Sequence, residues 1–376
     1  SLFSIAFNIS FYWIIIVMAV LTCAYVVFGG YMASAINDFI QGIIMLAGII
    51  IVIGAVVFSN GGLTEAVAKL SSIGAETASG TPLFGAYSSF FGPNPFALLF
   101  VVILTSLGTW CLPQMISKFY SIKNEDSILK GTIISTLFAI IIAGGCYFLG
   151  GFGRLYNIDV AAVGYDKIVP TMLKALDSDF VIAIVIVLVL SASMSTLASL
   201  VLVSSSTLTL DVVVPAQKKE FTEKGKVRVM RLFIAFFVVV SAIIAIIKDA
   251  FGFTFIAQMM GVSWGALAGA FLAPFLYGLY WKKTGRAAVW TSFVFGVGLM
   301  LLQLIVSLGL ITPGGRVLGF IFASSIRSGA VAMLGGMIIV PIVSLFTKAP
   351  DAALVNEIFT CYDKPVETKA KKSLGV

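Results

Sequence analysis

"FVIAIVIVLVLSASMSTLASLVLVSSSTLTL", Phe180 to Leu210, contains no charged residue. It exceeds the roughly 20 residues a helix needs to cross hydrocarbon. A helix apolar around its whole circumference is buried or membrane-spanning. Yet the second half is crowded with hydroxyls: Ser191, Ser193, Ser195, Thr196, Ser199 and Ser204 to Ser206. Small hydroxylated residues let membrane helices pack closely. The same oxygens also suit a hard cation, and the choice between these roles depends on the rest of the chain.

Of the 376 residues, 60% are hydrophobic and 11% charged, and the mean hydropathy is +1.08. Soluble domains carry about 25% charged residues. Further charge-free runs cover Ser1 to Asn37, Phe39 to Thr64, Thr77 to Ser117, Ala250 to Trp281, Ala287 to Gly315 and Ser328 to Thr347. This is the pattern of an all-α polytopic membrane protein; a transmembrane barrel shows short alternating segments instead. The four cysteines, Cys23, Cys111, Cys146 and Cys361, are scattered and imply no disulfide framework. The absence of histidine excludes His-ligated metals and His-based acid–base chemistry.

Nine crossings are expected, near residues 9–29, 38–58, 95–117, 130–150, 180–210, 229–247, 252–280, 287–308 and 328–347. Basic residues then sort by side. One side gathers Lys118, Lys123, Lys130, the cluster Lys218 to Arg231, Lys282, Lys283, Arg286 and the lysines after Thr347. The other has only Lys69, Arg154, Lys167, Lys174, Lys248, Arg316 and Arg327. The richer side is cytoplasmic by the positive-inside rule, which puts the C-terminus inside and residue 1 outside a cell membrane. The net charge of +7 is thus topological and no sign of nucleic acid. Residues 1–348 read as a transmembrane core. Residues 349–376 read as a polar, disordered cytoplasmic tail, and 152–179 as an outer loop with a short surface helix.

No Asp, Glu, Lys or Arg is expected in mid-helix, so the usual carriers of proton relays are missing. Hydroxyls and exposed backbone carbonyls suit sodium, which prefers oxygen ligands. At 3.6 residues per turn, Ser195 and Thr196 lie beside the carbonyl of Ala192, and that carbonyl has a second lone pair. From spacing alone, helix packing and a cation site both remain open. "LTSLGTWCLPQMISKFY", Leu104 to Tyr120, places Gly108 and Pro113 inside an apolar helix. Proline removes a donor and clashes with the preceding turn, so the helix bends or unwinds there. Such breaks mark transporter substrate sites, though simple kinks are common too. Thr105, Thr109, Trp110 and Gln114 flank this one. "AYVVFGGYMASAINDFIQG", Ala24 to Gly42, reads as a Gly-Gly turn with Asp38 at a helix boundary. Gln258 is a lone amide in an apolar helix, where interhelical hydrogen bonding competes with ligand contact.

In this order, these stretches resemble the sodium/solute symporter family of proline, pantothenate, acetate and sugar symporters. "SASMSTLASLVLVSSSTLTLD" is similar to its Ser-Ala-x-Met-Ser-Thr signature, and "AYVVFGGYMASAINDFIQG" to its Gly-Gly signature. "LGTWCLPQMISKFY" and "GLYWKKTGRAA" match two further elements. The resemblance implies a five-plus-five inverted repeat of the leucine-transporter type. It places Ala192 (by its carbonyl), Ser195 and Thr196 on the sodium site. Thr105, Thr109, Trp110 and Pro113 would line the solute cavity, with Gln258 as a further contact. Cys111 stands where many members carry glycine. Helix 9–29 matches the fourth core helix, so the resemblance implies a sequence truncated at its N-terminus and unable to transport as it stands. The expected function of the parent is symport of a small organic solute (amino acid, carboxylate, sugar or vitamin) with sodium as coupling ion and no cofactor. The alternatives are a transporter-like solute sensor and a proton-coupled symporter. A channel lacks a filter-like loop here, and an enzyme lacks a mid-membrane base.

Overall fold

The structure, a computed structural model, describes residues 9–76, 81–119, 122, 125–217, 221–250 and 256–362. The start of the expected 252–280 helix and the tail beyond Tyr362 lie outside the described residues. The principal helices are α1 (Phe11–Ser59), α2 (Leu63–Ser71), α3 (Pro95–Ser106), α4 (Pro113–Phe119), α5 (Glu125–Phe152), α6 (Ile168–Lys174) and α7 (Asp179–Thr207). They continue with α8 (Glu223–Ala250), α9 (Ile256–Tyr280), α10 (Arg286–Ser307), α11 (Arg316–Ile321), α12 (Ser325–Phe346) and α13 (Ala352–Phe359). Among the described residues, seven helices are long and apolar enough to cross a membrane, or eight if the bent pair formed by Pro95–Cys111 and Pro113–Phe119 is one span.

The long helices expose large apolar side chains as readily as they bury them. On α5, Ile133, Ile134, Leu137 and Ile140 are each more than half exposed. A protein in water does not display apolar stripes of that extent. Lipid is the solvent that makes them favourable.

Two expected helices, 9–29 and 38–58, are joined in α1, which has 49 residues. As a straight rod it would reach roughly 70 Å, over twice the hydrocarbon thickness of about 30 Å. Gly30 divides it, with φ +61° and ψ −157° inside an otherwise helical run. That left-handed φ is open to glycine at no steric cost. The helix resumes at Tyr31, so Asp38 is two turns into its second half and not at a helix boundary, a correction to the reading of Asp38 as a helix start.

The chain forms two compact units. The first comprises residues 1–93 and 132–253. In it α1 packs along α7, and Ile49, Val52 and Val56 meet Val181, Val185 and Ile186 in one core cluster. Val26 joins Ala198, Val201, Ile234 and Val238 in another. Tyr25 on α1 donates its hydroxyl to the carbonyl of Met194 on α7 at 3.0 Å. The outer connections are more structured than loops: Asp159 caps a turn at Val160–Val163, and α6 buries Met172 and Leu173. The short surface helix expected between 152 and 179 is therefore present. After Thr207 the helix widens into a π-helix, Leu208–Val213, and closes at Val214–Ala216. Thr209 in that wide turn is fully buried, and its hydroxyl has no hydrogen-bond partner.

The second unit comprises residues 94–131 and 254–376. Here α9, α10 and α12 approach through small residues. A Cβ on Gly265 would come within 2.6 Å of the Gly329 Cα and 2.9 Å of Met300 Cε, and one on Gly269 within 3.0 Å of the Gly296 Cα. Ser292 donates to the Gly269 carbonyl at 3.1 Å, and Tyr277 to the Met337 carbonyl at 2.9 Å. Lipid tails are as apolar as the helices, so close backbone approach and interhelical hydrogen bonds supply the association energy. The tail expected to be disordered instead opens with the short helix α13, capped by the Asp351 side chain on the Ala353 amide at 3.0 Å.

Gly265→Ala is expected to cost about 1–3 kcal/mol by overpacking, read as a lower thermal midpoint of the purified protein. Gly298→Ala, whose Cβ meets nothing within 4 Å, is expected to leave that midpoint unchanged or raise it.

Candidate functional site

The cation candidates lie in the first unit, on α7. Its hydroxyls fall into two groups. Ser191 and Ser205 are buried, and Ser205 and Ser206 donate to the carbonyls of Leu202 and Val203 at 3.0 and 2.9 Å. Ser205 and Ser206 thus spend their protons on their own helix. Ser195 is half-buried and Thr196 exposed; both donate to one carbonyl, that of Ala192, at 3.2 and 2.9 Å. Each hydroxyl keeps lone pairs after donating, so three oxygens sit within one turn carrying no formal charge. Thr196 and Ala192 lie on a shallow, open depression along α7 that is also lined by Leu188, Ser193 and Leu200; Ser195 is not part of it. The helix is anchored against α1. A Cβ on Gly48 of α1 would reach within 2.8 Å of Leu188 Cδ1, and Met194 holds Tyr25.

One turn beyond Ser195, the Ser199 hydroxyl donates to Asp38 Oδ2 at 3.4 Å. Asp38 belongs to a polar face of α1 that also carries buried Ser34 and Gln41. The sequence contained the signal, since Ser34, Asp38 and Gln41 recur at helical spacing after Gly30. Reading Asp38 as a helix start obscured it. A carboxylate therefore stands in a helix interior, contrary to the expectation that none does.

The solute candidates lie in the second unit. α3 starts at Pro95 behind an Asn94 cap, whose side chain accepts from the Ala97 amide at 3.0 Å. It tightens into a 3-10 turn at Gly108–Cys111, and α4 then departs at 46°. Leu112 between them is extended, with ψ 125°, as expected for a residue preceding proline. Pro113 opens α4, the position where its missing N–H costs nothing. The break is thus a true interruption, seated on a dense neighbourhood. Cys111 packs with Ala268, Leu272 and Met333, and a Cβ on Gly108 would meet Ala268 at 3.3 Å. Cys111 donates to the Gly108 carbonyl at 3.4 Å.

Gly108, Cys111 and Leu112 form the buried side of the break, whereas Trp110, at 59% exposure, and Pro113 stand on its open side. Thr105 and Thr109 are half-buried and donate to Val101 and Ser106 carbonyls at 2.7 and 2.9 Å, keeping their lone pairs available. Gln258, in the first turn of α9, has a buried Oε1 with no hydrogen-bond partner. The interhelical hydrogen bond weighed for it is absent at that atom. Among the described residues no group of three or more acidic or thiol side chains could hold a metal ion.

A profile described as the sodium:solute symporter family matches residues 1–296. The sodium/pantothenate symporter of Haemophilus influenzae is 26% identical over 297 residues, covering 77% of this chain and 58% of that protein. Sodium/proline symporter 2 of Staphylococcus saprophyticus is 26% identical over 370 residues, covering 95% of this chain and 67% of the relative. Thus the chain spans somewhat over half to two thirds of these relatives' length. Among solved structures, a substrate-bound, outward-open Na+-coupled sialic acid symporter matches with a TM-score of 0.63 at 15% identity, covering 92% of this chain and 68% of that one. That likeness carries the fold, a leucine-transporter-like helical core. By the extent of the profile match, this chain belongs to the sodium:solute symporter family.

Proposed function

We propose that the intact protein takes up a small organic solute by alternating access, driven by sodium moving down its gradient. The observation that carries this reading is the meeting of Ser195 Oγ and Thr196 Oγ1 on the one carbonyl of Ala192. Uncharged oxygens suit a monovalent cation that must bind and leave in every cycle. One sodium ion moving inward gains roughly 2.3 kcal/mol per 100 mV of membrane potential. Coupling requires both ligands to favour the same occluded state. On the solute side, Thr105, Thr109, Trp110, Pro113 and Gln258 are the proposed contacts. Trp110 offers a flat apolar surface, and Gln258 a carbonyl oxygen awaiting a donor. The names of the relatives support amino acids, carboxylates and sugar acids as the solute class. The cell membrane is the proposed location, with the C-terminus inside by the distribution of lysine and arginine.

Proton coupling is a second reading, favoured by Asp38 and its contact with Ser199. Uptake into proteoliposomes separates the two. An inward sodium gradient is expected to drive accumulation, and an equal proton gradient in sodium-free buffer to drive none. Accumulation driven equally by protons would overturn the reading of Ser195 and Thr196 as ligands of the coupling ion.

Ser195→Ala combined with Thr196→Ala is expected to raise the sodium concentration for half-maximal uptake at least about tenfold, the equivalent of 1.4 kcal/mol. Unchanged sodium dependence at normal expression would leave both hydroxyls as packing residues. Trp110→Ala is expected to raise the solute KM by about tenfold with the same protein yield.

A further inference from the structure

The short helix α13 begins six residues after Phe346, the last residue of a membrane-length helix. It folds back onto the end of another. The Tyr362 hydroxyl donates to the Leu279 carbonyl at 2.9 Å, one of the last four carbonyls of α9, which have no partner within their own helix. Lys282 Nζ donates to Asn356 Oδ1 at 3.2 Å and lies 5.3 Å from the centre of the Phe359 ring. Tyr362 packs beside Phe359 and Tyr280, with ring centroids 5.7 and 6.5 Å away. A segment tied to the ends of two spans sits at the level where hydrocarbon gives way to headgroups.

Its remaining surface fits that level. Leu354 and Ile358, 55% and 58% exposed, stand one turn apart, and the exposed Cys361 continues the same stripe. Val355 and Phe359 are turned partly inward. Exposed Lys282, Lys283 and Lys348 lie around the helix's attachment, and the carbonyl of Lys348 lies 3.3 Å from where a Gly285 Cβ would be. The sequence after Tyr362 adds Lys364, Lys369, Lys371 and Lys372. Apolar residues on one face with lysines beside them are the elements of an interfacial helix that binds an anionic bilayer surface.

We propose that α13 lies in the membrane interface, with Leu354, Ile358 and Cys361 among the acyl chains and the flanking lysines on anionic headgroups. The tail thereby fastens the end of α9 to the leaflet. The inference requires only that the chain spans a membrane, and stands whatever the coupling ion.

The test uses the full chain with Cys23, Cys111, Cys146 and Cys361 replaced by Ser and a nitroxide on Ile358→Cys or Glu357→Cys. The protein is reconstituted in phosphatidylcholine vesicles with and without phosphatidylglycerol. The ratio of oxygen to nickel-chelate collision is expected to be at least about threefold higher at 358 than at 357, as for a helix lying in the interface plane. Phosphatidylglycerol is expected to widen that difference. Equal ratios at the two positions would overturn the proposal, as would spin–spin broadening at 358 that vanishes on dilution into excess lipid and so reveals a second copy. Hydrogen exchange of residues 352–362 in the unmodified chain decides the matter if the cysteine-free protein does not fold. Slowing of at least about fivefold on adding phosphatidylglycerol supports an anionic-lipid contact, and identical exchange in both vesicles overturns it.

Discussion

Hydrocarbon offers no hydrogen bonds, so every backbone amide and carbonyl within a membrane must find its partner inside the protein. The helices of this chain satisfy that demand internally. Among the described residues the deviations include a left-handed glycine at Gly30, an extended residue before proline at Leu112, a widened turn at Leu208–Val213, and prolines inside α9 and α12 at Pro274 and Pro341. The interruption at Leu112 is supported from below by Cys111 against Ala268, Leu272 and Met333. Irregular backbone at membrane depth requires such a dense protein neighbourhood.

The same scarcity of partners sorts the hydroxyls. A serine in a membrane helix usually returns its proton to its own backbone, as Ser205 and Ser206 do. The hydroxyls of Ser195 and Thr196 do so as well, but onto one shared carbonyl. The two groups differ in exposure, with Ser205 buried and Thr196 exposed. Where helices meet closely, as at Gly265 and Gly329, side chains are dispensed with altogether and backbone touches backbone.

Much of this was legible before any coordinates. Charge-free runs located the membrane helices because lipid imposes its demand residue by residue, and the Ala192–Ser195–Thr196 group was readable because it is set by one turn of helix. Asp38 was misread because its acidity suggested a helix start, whereas Gly30 alone carries the non-helical conformation. The helix at Ala352–Phe359 escaped notice because eight residues are too few for a periodic signal, and distant Leu279 and Lys282 help to hold it. The exposure of Trp110 and the unpartnered amide oxygen of Gln258 depend on what lies across from them, which no local pattern encodes.

The widened turn at Leu208–Val213 has a bearing on how chains like this one are compared. A π turn accommodates one residue more than an α turn covering the same rise. Each added residue advances the following helix by about 100°. Val214–Ala216 therefore present a different side from the one an uninterrupted helix through Asp211 would give them. A relative with a regular helix here would be shorter by a single residue, so an alignment gap at this point marks a change of turn type, with the rest of the helix in place.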